Sequence, residues 1–182
     1  MTDPVLWARA FIQFYNPITK QNEPWIARWY QAEMMRDTSQ FKAYLNGRRT
    51  GKTEVMCVEG MYKAATNKNI VVLYATPYES QIRLIFNRLT ELYTGSPLLK
   101  DTVVSNTKNP FAIKLNNGSR IVGFTTGAKT GSGAASLRGQ RADFIYLDEM
   151  DIFLKIFNIF VKYFKTYCSF KTPLNDETPY YQ

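Results

Sequence analysis

Gly51-Lys52-Thr53, at the end of the stretch NGRRTGKT, is the triplet with which a phosphate-binding loop closes. In such a loop, successive backbone N–H groups and a helix N-terminus wrap phosphate oxygens. A lysine reaches the β- and γ-phosphates, and a Ser/Thr hydroxyl ligates Mg²⁺. Lys52 and Thr53 stand where the last two roles fall. The usual spacing puts the opening glycine at position 46, where this chain has Asn46, with Gly47 one residue later. Asparagine is the next best residue at positive φ, so the turn stays open to it. Gly47, Arg48, Arg49, Thr50 and Gly51 would then form the cradle. The bland alternative is a chance Gly-Lys-Thr in a turn.

A second constellation weighs against chance. Phe144, Ile145, Tyr146 and Leu147 run directly into Asp148-Glu149. At a strand end, one carboxylate can hold a Mg²⁺-bound water and the next can face an attacking water. Asp148 is the metal-side acid in this reading. Glu149 is the general base, which needs hydrogen-bond reach to the nucleophile rather than to the metal. A solvated acidic turn would look similar by itself. Two such signals, each in its strand context, point together to a Mg-nucleotide site.

The elements that must position these residues follow from periodicity. Val5 to Tyr15 and Trp25 to Met35 carry apolar residues at three- and four-residue spacing, predicting two short helices separated by the polar NPITKQNEP. FKAYLN alternates Phe41, Ala43 and Leu45 with Lys42, Tyr44 and Asn46, which predicts a strand entering the loop. Val55, Val58, Met61, Tyr62 and Ala65 recur at helical spacing until TNKN. NIVVLYATP is a continuous β-branched run, the pattern of a strand buried on both faces of a parallel sheet. A helix from Glu79 to about Tyr93 follows. FAIKLNNGSRIVGF is two runs around Asn117-Gly118, a hairpin signal. TTGAKTGSGAASLRGQ, with glycines at 127, 131, 133 and 139, fits no regular element. The alternation predicts an α/β domain with a mainly parallel core sheet and an inserted β-hairpin. Ligands of such sheets sit at the carboxyl ends of the strands, where both constellations fall.

Composition narrows the function classes. The 182 residues carry 23 Lys+Arg against 15 Asp+Glu, a net charge of +8, with a pI near 9.5. This favours a polyanionic partner, nucleic acid or nucleotide. There is no histidine, which excludes imidazole triads, His-metal nucleases and Cys/His zinc fingers. Cys57 and Cys168 are isolated, signal neither a disulfide framework nor a metal knuckle, and fit a reducing compartment. The acidic start MTDPVLWARAFIQFY argues against a secretory leader. No uncharged apolar run reaches the roughly 18 residues of a membrane span.

On NGRRTGKT, ATPYESQ, the NNGSRI hairpin, SLRGQRAD and FIYLDE, the stretch from about Trp25 to Asp151 resembles the large terminase subunit of tailed phages, the ATPase that drives DNA into capsids. The irregular arginine-containing loop is a habit of that family. The resemblance implies a P-loop NTPase domain of the RecA-like (ASCE) type in three layers, with ATP and Mg²⁺ as ligands. It implies double-stranded DNA, portal or capsid and the small terminase subunit as partners, a homo-oligomeric ring when assembled, and the host cytoplasm as location. WYQ looks like the adenine-reading segment, with Gln31 on the base edge, although Trp29 and Tyr30 could equally be helix core. Thr76 and Gln81 look like a phosphate- or DNA-sensing motif. Arg48, Arg49 and Arg138 are the candidates for charge stabilisation at the γ-phosphate, and which acts is left open.

The resemblance stops after the acidic strand. The family continues into a coupling motif and an RNase H-like nuclease domain, and this chain is expected to lack nuclease activity. The expected division is an N-terminal and ATPase part at 1–151, with N-terminal helices over 1–40 and core over 41–151, and a divergent tail at 152–182. That tail is rich in Phe, Ile, Lys, Asn and Tyr. Lys155, Lys162 and Lys165 argue against membrane insertion. The tail reads as an amphipathic helix, or as a reading frame that has left the family sequence. Competing functions are a helicase-like or recombination ATPase and a nucleotide- or DNA-binding module without turnover. TNKN lacks the acid that would read guanine.

Overall fold

The structure is a computed structural model that describes residues 3–44, 47, 49–125 and 141–148, all within one unit, Met1–Glu149. The elements run α1 (Pro4–Phe11), β1 (Gln13–Asn16), β2 (Gln21–Pro24), α2 (Trp29–Arg36), α3 (Lys52–Thr66), β3 (Val71–Thr76), α4 (Glu79–Thr94), α5 (Pro97–Lys100), β4 (Val103–Lys108), β5 (Phe111–Leu115), β6 (Arg120–Thr125) and β7 (Phe144–Leu147). This is an α/β fold. Its main sheet has the order β4-β5-β6-β3-β7, and β1 and β2 form a separate antiparallel pair.

β3 lies inside the sheet, between β6 and β7, and all six of its residues, apolar or small, are buried. It pairs in parallel with β6 on one side, Tyr74 opposite Gly123, and with β7 on the other, Tyr74 opposite Tyr146. Tyr74 and Tyr146 stack with ring centroids 5.1 Å apart. The Tyr74 hydroxyl donates to the Met56 carbonyl of α3 at 2.6 Å. Gly60 of α3 lies over that hydroxyl, and Gly123 lies against Ile82 and Phe86 of α4. Residues opposite one another in adjacent strands face the same side, so α3 and α4 pack on one face of the sheet through two glycines. Ile82, Ile85, Phe86, Leu89 and Leu92 make the buried stripe of α4, each contributing about 1.5–3 kcal/mol by burial.

Several expectations are corrected. The sheet is mixed rather than mainly parallel, since β4–β5 and β5–β6 are antiparallel. The Asn117-Gly118 hairpin forms, but it is not an insertion: its second strand, β6, is the parallel neighbour of β3. The turn's Asn117 amide donates to the carbonyls of Ala64 (2.8 Å), Ala65 (3.2 Å) and Asn67 (2.8 Å), closing the C-terminal end of α3.

The helix expected over Val5–Tyr15 ends at Phe11, capped at its start by the Asp3 carboxylate on the Val5 and Leu6 amides. Ile12 turns extended because its carbonyl accepts from Trp25 N (2.9 Å), and Gln13 N then donates to Ser96 Oγ (2.8 Å). Tertiary pairing overrides local propensity there. The NPITKQNEP segment holds β2, and α2 starts at Trp29 rather than Trp25. Phe41 to Tyr44 form no strand. Phe41 and Tyr44 are exposed, while Lys42 turns inward to Glu59 at 3.1 Å, so the apolar alternation does not mark a core face. β7 is half-buried rather than buried, being an edge strand among the described residues.

Candidate functional site

The loop that carries the Gly-Lys-Thr triplet turns sharply because Arg49 (φ 61) and Gly51 (φ 80) both lie in the left-handed region. Thr50 Oγ1 donates back to the Gly47 carbonyl at 3.1 Å. Gly51 is the N-cap of α3 and has no side chain to cap it. The first amides of α3, beginning at Lys52, therefore face out with the positive end of the helix dipole.

Thr53 Oγ1 donates to Asp148 Oδ2 at 3.1 Å across 95 residues of sequence. Asp148 is placed by the strand ladder: its N–H donates to the Ala75 carbonyl at 3.3 Å. At the other end of β7, Asp143 fixes the register by accepting from Val71 N through its carboxylate (2.8 Å) and donating to Val71 O (2.9 Å). That contact, with Arg141 beside it, holds the Asp143 carboxyl below its usual range. A hydroxyl and a carboxylate, both hard oxygen donors suited to Mg²⁺, thus converge at the loop.

Gln31 is buried. Its Oε1 accepts from the Arg28 amide at 2.9 Å, and its Nε2 donates to the Thr50 carbonyl at 3.4 Å. The Tyr30 hydroxyl donates to that same carbonyl at 3.0 Å. Trp29 is 75% exposed and meets Tyr30 edge-on, so it is not helix core. Thr76 is buried with its hydroxyl on the Tyr78 carbonyl (2.9 Å), and Gln81 sits in the first turn of α4. Asn46, Arg48, Arg138 and Glu149 lie outside the described residues. Arg49 lines a cavity of about 530 Å³ with Phe14, Pro24, Trp25, Ile26, Arg28, Gln31, Thr50 and Gly51, a volume in the range of small-molecule sites.

Two clusters beside the loop escaped the sequence. Glu54, the residue after Thr53, accepts from Trp25 Nε1 (3.0 Å) and from Arg88 through Nη2 (2.7 Å) and Nε (2.5 Å). Arg88 also reaches Glu91 at 2.8 Å. Hydrogen bonds to Glu54 push the Arg88 pKa up. Deeper in α3, burial pushes the Glu59 carboxyl up despite Lys42. No short motif announces either cluster, because each joins elements far apart in the chain.

The fold and the paired Thr53 and Asp148 define an α/β domain that presents an uncapped helix N-terminus and two metal-competent oxygens at one end of its parallel strands. The family model described as terminase large subunit, T4likevirus-type, N-terminal, matches residues 43–156, more than half of the chain. The chain belongs to that family. Its fold is similar to the HK97 bacteriophage large terminase (TM-score 0.67, 15% identity, 86% of this chain and 34% of that one). It is also similar to the ATPase domain of the Thermus phage P74-26 large terminase (TM-score 0.59, 17% identity, 78% and 62%). The chain thus spans about a third of the HK97 protein and under two thirds of the Thermus phage domain. No curated protein sequence matches it.

Proposed function

We propose that this chain is the ATP-hydrolysing motor domain of a viral large terminase subunit, coupling Mg-ATP hydrolysis to translocation of double-stranded DNA into a capsid. The observation that carries this is the 3.1 Å contact between Thr53 and Asp148, in a chain of the terminase family. In this reading Gly47 to Gly51 form a P-loop in a RecA-like three-layer domain. The loop amides and Lys52 bind the β- and γ-phosphates, and the base and ribose enter the adjoining cavity. Thr53 and Asp148 would hold Mg²⁺, which when bound draws charge from the phosphate oxygens. Glu149 orients and deprotonates the attacking water. Arg48 and Arg49, inside that loop, could serve only their own site, and Arg138 belongs to the glycine-rich stretch that could reach a neighbour in a ring.

DNA, portal or capsid and the small terminase subunit are the partners in this proposal, and the host cytoplasm is the location. No helix among the described residues is long and apolar enough to cross a membrane. The alternative reading is a module that binds nucleotide or DNA without turnover.

Calorimetry and phosphate release test both. Lys52→Ala is expected to weaken Mg-ATP binding by removing a charge-assisted contact. Glu149→Gln is expected to keep binding while turnover falls at least about a hundredfold, the scale of a general base. Unchanged ATP affinity in the first variant removes the site. Wild-type binding with no phosphate release selects the binding module.

A further inference from the structure

We propose that the sheet face turned away from α3 and α4 carries, at the amino ends of its parallel strands, a surface for the phosphate backbone of duplex DNA, with Lys114 and Arg120 at its centre. This rests on the DNA partner in the reading above and locates the surface that meets it.

The placement follows from register. Gly123 of β6 lies against α4 and Ile121 shares its side, so Arg120, one residue earlier, points from the opposite face. Lys114 of β5 stands directly opposite Arg120 in the antiparallel pair and projects with it. Arg120 is also the partner of Val71, the first residue of β3, and on the far side of Val71 lies Asp143. The Asp143 carboxylate is taken up by the Val71 amide at 2.8 Å and by Arg141 at 3.2 Å. Lys68 sits on the turn that enters β3, which is tied to the hairpin by Asn69 N donating to the Asn117 carbonyl at 3.3 Å. Lys68, Lys114, Arg120 and Arg141 are all exposed. From β5 through β6 and β3 to β7, the row is about 14 Å wide at the usual strand spacing. Duplex DNA carries one charge per roughly 1.7 Å of its axis, so the row faces several phosphates at once.

Solubility alone does not account for the Lys114–Arg120 pair. Like charges directly opposite one another on antiparallel strands, with Cβ atoms about 5 Å apart, repel, and a merely solvated face has no need of them. Lys42, Arg83 and Arg88 each meet an acid. Lys68, Lys114 and Arg120 stand in no ion pair among the described residues. Asn69 and Asn116, exposed on the adjoining turns, add amide groups, and cations with amides are what phosphate oxygens bind. An acidic protein partner would call for apolar anchors at its centre, where this row presents cations. The row lies at one end of β3 and the Thr53–Asp148 contact at the other, about 20 Å away for a six-residue strand, so its charges can be altered without touching the nucleotide site.

Fluorescence anisotropy of a labelled duplex, read over a salt series, tests the surface. Lys114→Gln and Arg120→Gln are each expected to weaken binding about tenfold in about 50 mM salt and to lower the slope of log affinity against log salt by about one, the share of one phosphate contact. Lys108→Gln removes the same charge at the other end of the strands and should leave the slope unchanged. Arg120→Glu separates binding from structure: a carboxylate opposite Lys114 makes a favourable cross-strand pair, so Tm should rise while duplex affinity falls furthest. Mg-ATP affinity should be unchanged in all four variants. Wild-type slopes in Lys114→Gln and Arg120→Gln, or an equal loss in Lys108→Gln, overturn the surface and leave DNA as a partner. Loss of affinity for a polyglutamate peptide with duplex binding intact overturns it in favour of an acidic protein. Failure of the wild-type chain to bind duplex at low salt removes the DNA partner itself, and the surface with it.

Discussion

Gly60→Ala should destabilise the chain although it improves the helix, and the size of the effect follows from the contact between α3 and β3. In an exposed helix the change would stabilise by about 1 kcal/mol. Here the added Cβ would lie 1.9 Å from the Tyr74 hydroxyl and 2.9 Å from Cζ, so the oxygen must retreat by more than an ångström. It has little room, because Tyr74 is fully buried and its ring stacks on Tyr146. Moving it breaks the 2.6 Å bond to the Met56 carbonyl and strands a buried hydroxyl, which costs about 1–3 kcal/mol. Overpacking adds about 1–3 kcal/mol more. After subtracting the propensity gain, the net loss is about 3 kcal/mol, a fall of roughly 6–12 °C in Tm for a chain of this size. Urea and thermal unfolding followed by circular dichroism read it. Tyr74→Phe supplies the control: removing the oxygen abolishes the shortest contact, so Gly60→Ala should cost at least about 1 kcal/mol less in that background. If Gly60→Ala raises Tm in the wild-type background, the close approach is wrong.

The remaining expectations concern the same helix. Asn117→Ala should lose about 1–2 kcal/mol of stability by removing the donor shared among the Ala64, Ala65 and Asn67 carbonyls. Asn117→Asp should lose more, because a carboxylate would face those oxygens at the negative end of the helix dipole; an aspartate milder than alanine in urea melts would refute the cap. Glu59, whose carboxyl burial holds above its usual value, contributes fully below the ordinary carboxylate range and progressively less as pH rises through its raised value. The stability of wild type relative to Glu59→Gln should therefore fall as pH rises from the ordinary carboxylate value of 4.5 through the raised value, and a rise over that window would count against the burial-dominated account.

What the sequence made legible was what short spacing can encode. β3 could be read because a six-residue apolar run has few other uses, and α3 and α4 because their stripes persist over 15 and 16 residues. The Asn117-Gly118 turn was equally plain. Its role was not, since nothing local says that β6 will lie beside β3 rather than leave the sheet. The β1–β2 pair went unseen because Phe14 and Tyr15 of β1 continue the spacing read as a helix, while β2 is polar and mostly exposed; it forms where Ile12 and Trp25 are buried and brought together. Lys42 shows the opposite failure: an alternating pattern was present, but a buried carboxylate on α3 drew the lysine inward. Within the site, Thr53 and Asp148 were assigned to one metal from motif logic, and the fold brings them into contact.

Glu54 marks the boundary between what a motif can say and what only packing decides. A carboxylate directly after Gly-Lys-Thr invites assignment as a catalytic acid. Successive helical residues, however, point about 100° apart, so Thr53 faces Asp148 just past β7 while Glu54 faces α4 and the segment leaving β2. Both of its oxygens are taken by Arg88, and one also accepts from Trp25. Its carboxylate is three-quarters or more withdrawn from solvent, and Arg88 is two-thirds so. A bidentate pair held at that depth is worth more than a surface ion pair and is costly to break on one side only. The first turn of α3 thus divides its work by azimuth: one residue meets the acid of the site, and the next fastens that turn to α4 and to Trp25.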